Sequence, residues 1–296
     1  MYNEVVVEEG GDEVFYYIRS LLSDPRATLL VIVLALPGRM LAMSMHEYAH
    51  AYVANRCGDP TAKYLGRLTL NPLKHIDILG FIMLYVVGFG WAKPVPVNPR
   101  NFKGNYRKCD LAVSLAGIAV NALMFVLGGF VLYAVMGVAL GTLDQTGATT
   151  HAFNGAGAYL TQIDGVQSVV VGGYYASVRD LMTYAPYMGE FLIRPLWGDL
   201  AYYLFEILSY FVQINIVLAI FNLIPVPPLD GYHVLNDLVL KRDLFASPRA
   251  GQIGYVLMLV LLFSGVLSEA LGFVIDKAFF LTGSAAGALY SLLGVI

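Results

Sequence analysis

The chain has 296 residues, 58% of them hydrophobic and only 13% charged, against roughly 45–50% apolar and about 25% charged in an ordinary soluble domain. Its 18 basic and 21 acidic side chains are too few to wet a soluble globule of this length, and a mean hydropathy of +0.66 points to lipid as the solvent for much of the surface. These figures exclude disorder, a nucleic-acid partner and a plain soluble enzyme, and lead us to expect an all-α polytopic membrane protein. The two cysteines, Cys57 and Cys109, lie in basic segments without C-x-x-C spacing, so neither a disulfide framework nor a cysteine-ligated metal is suggested.

Residues 1–27 carry six acidic and two basic side chains, and no secretory signal with a cleavage site opens the chain. Hydrophobic runs long enough to cross a bilayer as helices occur at about 28–54, 111–137, 201–224 and 254–275, with a fifth, rich in small residues, at about 278–296. Between the first two, residues 55–110 hold nine basic and three acidic side chains. Short basic loops stay in the cytoplasm, whereas 1–27 and the acidic stretch 138–200 are expected outside. The apolar stretch 78–92 is too short for an ordinary crossing helix and has basic flanks on both sides, so re-entry from the cytoplasmic face is expected. The insert 138–200, with its tyrosines, is expected to lie at the interface as short amphipathic helices.

Inside the first run stands His46-Glu47-Tyr48-Ala49-His50. Two histidines at i and i+4 fall on one helical face, where they can share a tetrahedral Zn²⁺, and the intervening glutamate can reach a water as general base. Three ionisable residues inside an apolar helix are costly unless they are partnered, which makes an intramembrane function the default expectation. At a rise of 1.5 Å per residue from a boundary near Ala54, His50 lies about 6 Å and His46 about 12 Å below the cytoplasmic surface. Arg39, about 22 Å down, is expected to snorkel to the opposite interface or to pair with an acid such as Glu206 or Glu269.

A catalytic zinc site needs a third protein ligand. The candidates are His75, Asp77, Asp110, His151, Asp230 and His233. Asp230 is favoured, because the prolines of Asn222-Leu-Ile-Pro-Val-Pro-Pro-Leu-Asp230-Gly231 must break the third helix near the membrane surface.

Together these segments resemble the site-2 protease family of intramembrane zinc metalloproteases. The likeness extends through Gly58-Asp-Pro-Thr-Ala62, Gly66-Arg-Leu-Thr-Leu-Asn-Pro72, His75-Ile-Asp77 and Gly88-Phe-Gly-Trp-Ala-Lys-Pro-Val-Pro-Val-Asn98, and suggests the compact prokaryotic branch without PDZ or CBS domains. It covers about residues 28–137 and 201–245. The resemblance implies that His46, His50 and Asp230 bind one Zn²⁺, that Glu47 activates the water, and that Asn222 stabilises the oxyanion. Asn121, from Ala116-Gly-Ile-Ala-Val-Asn121, would support the site across helices, although Ile118 replaces the proline usual there. The implied core is three transmembrane helices with a short embedded strand at 78–92. The domain reading is an extracytoplasmic segment 1–27, a catalytic core in two parts (28–137 and 201–245), an extracytoplasmic insert 138–200 and C-terminal helices at 246–296. The expected activity is cleavage of transmembrane or membrane-adjacent segments of membrane-protein substrates within the lipid bilayer, releasing cytoplasmic fragments. The alternative is a membrane metal transporter or a non-catalytic metal-binding scaffold, for which the glutamate beside the first histidine has no use.

Overall fold

The computed structural model describes residues 16–86, 90–142, 158–163, 166–171, 174–177, 185–241 and 247–292. The acidic residues 1–15, His151 and the Gly172-Gly173 pair lie outside them. Four helices among the described residues are long and apolar enough to cross a membrane: Pro25–Arg56, Tyr106–Gly141, Gly189–Phe221 and Glu269–Leu289. The chain is thus a predominantly α-helical polytopic membrane protein. Side chains such as Leu29, Val33, Leu123, Val126, Phe130, Leu204 and Val260 are exposed along these helices and on the shorter apolar helix Gly251–Phe263, the surface expected where lipid is the solvent.

The described residues form two compact units, the first made of residues up to 123 with 214–273, the second of 124–213 with 274–296. In the first unit, α1 (Tyr16–Ser23) precedes α2 (Pro25–Arg56). Asp24 starts α2 by accepting a hydrogen bond from Ala27 N–H at 3.1 Å, with Pro25 at the first helical position, where its missing N–H costs nothing. Arg39 is held by two tyrosines. Its Nη2 donates to the Tyr17 hydroxyl at 2.7 Å, and its guanidinium lies 5.7 Å from the ring centroids of both Tyr17 and Tyr85.

After α2 the chain makes the single turn α3 (Thr61–Tyr64) and then α4 (Ile78–Val86), which Asp77 caps by accepting from Gly80 N–H at 2.8 Å. A nine-residue helix therefore stands where the resemblance implied a strand. The ends of the 78–92 segment meet: Ile76 and Ala92 form an antiparallel bridge, and Lys93 N–H donates to His75 O at 2.8 Å. Gly80 and Gly90 make this return possible. A Cβ at Gly80 would fall 2.2 Å from Trp91 O, and one at Gly90 would fall 2.4 Å from Gly80 O.

Helix α5 (Tyr106–Gly141) continues without a break at Ile118. In the second unit its later half packs Leu132, Tyr133, Met136 and Leu140 with Leu192, Ile193 and Phe205. The insert contains a three-stranded antiparallel meander, β1 (Ala158–Ile163), β2 (Val166–Val171) and β3 (Tyr174–Ser177), where amphipathic helices were expected. The β-branched and aromatic runs Val-Gln-Ser-Val-Val-Val and Tyr-Tyr-Ala-Ser favour extended chain, which outweighs the interfacial reading of the tyrosines.

Helix α6 (Arg194–Phe221) is interrupted at Gly198, whose φ of 85° lies in the left-handed region. It ends before α7 (Asp230–Leu235), which belongs to the first unit. The run expected at 254–275 is instead split between α8 (Pro248–Phe263) and α9 (Val266–Leu292), and α9 also absorbs much of the expected fifth run. Gly265, at φ 76°, terminates α8 as a left-handed cap that hydropathy alone does not register.

Candidate metal centre

Three side chains converge in the first unit. His46 Nε2 and His50 Nε2 lie 3.0 Å apart, and Asp230 Oδ2 lies 3.3 Å from each. Ligands about 2.0–2.1 Å from a tetrahedral zinc are separated by roughly 3.3 Å, so this triangle has the size of one tetrahedral face. Its three corners are two buried histidines one helical turn apart on α2 and the first residue of α7.

The chemistry of the donors fits a cation. His46 Nδ1–H donates to Asn121 Oδ1 at 2.6 Å, and His50 Nδ1–H donates to the Val113 carbonyl at 2.7 Å. A carbonyl oxygen only accepts, and the Asn121 oxygen is identified because its Nδ2 donates to Asn215 Oδ1 at 2.8 Å. As neutral imidazoles, the form that binds a metal, both would carry their protons on Nδ1 and turn their Nε2 lone pairs toward each other. Asp230 Oδ2, buried and without a hydrogen bond, adds a third. Three electron pairs facing one point repel unless a cation, a metal ion or a proton, lies among them, and three ligand atoms at this spacing suit a metal.

Close approach builds this geometry. Gly117 of α5 lies against the histidines, where a Cβ would be 2.4 Å from His50 Nε2 and 2.5 Å from His46 Cε1. Gly231 plays the same part for the carboxylate. Its N–H donates to Asn222 O at 2.6 Å, and a Cβ there would be 2.3 Å from Leu223 O. Asp230 is thereby held against the broken end of α6.

Glu47, also buried, accepts a 2.7 Å hydrogen bond from Val95 N–H on Oε2. Asn222 Nδ2 donates to Leu218 O, in the last turn of α6, at 3.0 Å, so its amide is engaged there. The other ligand candidates are occupied elsewhere. His75 Nε2–H donates to Thr69 O at 2.8 Å and Asp77 caps α4. His233 Nδ1 lies 3.4 Å from Asp110 Oδ2, a contact that raises the histidine's pKa. Burial and the neighbouring Asp110 push Asp237 up to about 6. Burial and the adjacent Cys109 push the Cys57 thiol up to about 11.

Sequence reasoning did not single out Asn215, the Val113 carbonyl or the Val95 amide. Asn215 had a visible signal, being an uncharged polar residue two helical turns before Asn222 in an otherwise apolar run. The two backbone groups carry no residue signature at all.

The matches to known proteins span the residues of this centre. The profile of peptidase family M50 matches residues 38–265. A Bacillus subtilis (strain 168) protein named as a zinc metalloprotease, YwhC, is 33% identical over 250 residues, covering 84% of each chain. A Mycolicibacterium smegmatis protein named as a zinc metalloprotease, Rip2, is 24% identical over 250 residues, covering 83% of this chain and 72% of its own. No solved structure matches the chain.

Proposed function

The chain belongs to peptidase family M50 and is an integral membrane zinc metalloendopeptidase, and from that premise we propose that it cuts a peptide bond within or beside a transmembrane segment of another protein. The cut would release the part of the substrate on the cytoplasmic side. The observation that carries this reading is the triangle of three lone-pair donors, two of them on a helix long and apolar enough to cross the bilayer. A hydrolytic centre at that depth has membrane-embedded peptide within reach.

His46, His50 and Asp230 would hold the metal. When bound, Zn²⁺ polarises the scissile carbonyl and lowers the pKa of a water. Glu47 removes the water's proton and returns it to the leaving amine nitrogen as the C–N bond breaks. Asn121 and the Val113 carbonyl fix the imidazole tautomers. Asn222 takes the developing oxyanion by turning its amide from Leu218 O toward the substrate. A substrate helix must unwind before its carbonyls reach these groups.

The basic loop 55–110 supports a centre opening toward the cytoplasm, with 1–27 and the insert on the other side. The meeting of Ile76 with Ala92 supports re-entry of 78–92 rather than a crossing. Purified full-length protein, incubated with a single-span membrane substrate, should give products whose termini map within or beside the span by mass spectrometry. A zinc chelator should abolish them. Cleavage confined to soluble loops, or unaffected by chelation, would sink the reading. Single-cysteine versions at Cys57 and Cys109 should both resist an impermeant thiol reagent until the cells are permeabilised. Labelling of either from outside would contradict the proposed topology.

A further inference from the structure

Glu47 has one hydrogen-bonding partner among the described residues, the Val95 amide. Val95 sits in Lys93-Pro94-Val95-Pro96, and since proline has no N–H, it is the single backbone donor between Lys93 and Val97. The carbonyl side of the same stretch is held by Arg67. Its Nη2 donates to Lys93 O at 2.7 Å and to Pro94 O at 3.3 Å. The Pro94 carbonyl and the Val95 N–H belong to one planar peptide unit. A guanidinium on the oxygen of that unit and a carboxylate on its N–H polarise it in the same sense, so each bond strengthens the other.

Arg67 is itself fixed. It is only 9% exposed, its N–H donates to Ala62 O at 2.8 Å, and it follows Gly66, whose φ of 65° sets the turn. A buried cation that finds neutral carbonyls rather than an acid is expensive as mere loop packing. We propose that Arg67 is a positioning residue for Glu47. Through the Pro94–Val95 peptide it fixes Oε2, leaving Oε1 as the oxygen that meets the water. The inference rests on the reading of Glu47 as the base.

The test uses full-length protein in detergent with its zinc. Arg67→Met keeps the apolar stem and removes the donors. Hydrogen exchange at Val95, the only exchangeable backbone amide in the 94–96 stretch, should quicken by about tenfold or more. Since small misplacements of a catalytic group cost up to about 10²-fold in rate, kcat should fall by roughly 10–10²-fold, with KM within about twofold and zinc content unchanged. Arg67→Lys should recover part of both effects. Unchanged Val95 exchange, or a raised KM at wild-type kcat, would overturn the inference. Should Arg67→Met lose zinc or elute abnormally, Val95→Pro removes the N–H directly. Its kcat must then fall with zinc retained, and an unchanged kcat overturns the proposal equally. Glu47→Ala must also quicken Val95 exchange, whether or not any substrate is cut. A failure of the protease reading therefore leaves the exchange response intact, whereas a failure of this inference leaves wild-type cleavage intact and Val95 indifferent to Arg67.

Discussion

Two buried polar clusters lie close together in the chain and differ in how their hydrogen bonds close. Around Asp59 every acceptor meets a donor. Oδ1 takes the Thr61 N–H, the Thr61 hydroxyl and Asn101 Nδ2, and Oδ2 takes Asn98 N–H at 2.7 Å. The result pins the start of the 55–105 loop to its end. Around His46 and His50 the outer nitrogens are equally well partnered, but the inner atoms, two imidazole Nε2 and one carboxylate oxygen, converge on one another and with neutral imidazoles are three lone-pair donors. Both clusters are polar and buried, so burial does not distinguish scaffold from chemistry. Saturation does. A closed cluster stabilises the chain as it stands, whereas an open one is complete only with a ligand of opposite character.

The contrast breaks first at the ligands. Asp230→Ala removes one of three donors and should leave purified protein with little of its single zinc equivalent and no measurable proteolysis. His75→Ala and His233→Ala should keep their zinc. Full zinc in Asp230→Ala, with loss in either histidine variant, would move the third ligand. Glu47→Gln should keep the metal and lose roughly 10²–10⁴-fold in turnover, the usual worth of a general base. Undiminished cleavage there would remove Glu47 from the mechanism.

A smaller effect is expected where only the approach of helices is disturbed. At Gly117 a Cβ would lie 2.4 Å from His50 Nε2, so Gly117→Ala must push α5 or the imidazoles aside. We expect zinc affinity to fall by roughly 10–10²-fold, the range seen when outer partners of metal ligands are lost. Asn215→Leu, which leaves Asn121 Nδ2 without its 2.8 Å partner, should cost about tenfold, because Asn121 is then free to turn its amide. Competition with a zinc chelator reads both. Wild-type affinity in Gly117→Ala would mean that the histidines are less constrained than their contacts indicate.

Much of the open cluster was legible from the amino-acid sequence, because its chemistry needs particular side chains. The His-Glu-x-x-His spacing and the proline-broken segment before Asp230 point to the three groups that the fold brings together. The partners that hold them were less legible. Val113 and Val95 contribute backbone atoms, which any residue but proline can supply at least in part, and Gly117 acts through the absence of a side chain. Hydropathy located the first three long helices but not the break at Gly265, since one glycine barely lowers an apolar average. The meander at 158–177 was missed because tyrosine suits both a membrane interface and a strand.

The smallest expected effect is on the closed cluster, and it concerns stability rather than catalysis. Burial alone would raise the Asp59 pKa, but the hydrogen bonds from Asn101, Thr61 and Asn98 outweigh it and hold the carboxyl below its usual range. The folded pKa is therefore below the unfolded value of about 3.9, so the stabilisation is fully present above that pH. It is lost as pH falls through the lower, folded value. Between pH 5 and 8 Asp59 should add nothing to the pH dependence of unfolding, and its loss should emerge only in acid. Asp59→Asn replaces an acceptor oxygen by a donor amide facing other donors, at a cost of about 1–3 kcal/mol. The melting temperature in detergent should fall by several degrees, with a decrement that is constant across neutral pH and shrinks in acid, where the wild-type carboxyl is protonated as well. Zinc content and turnover below the melting transition should stay within about twofold of wild type. Loss of zinc from folded Asp59→Asn would show that the two clusters share one function, and saturation would then no longer separate scaffold from site.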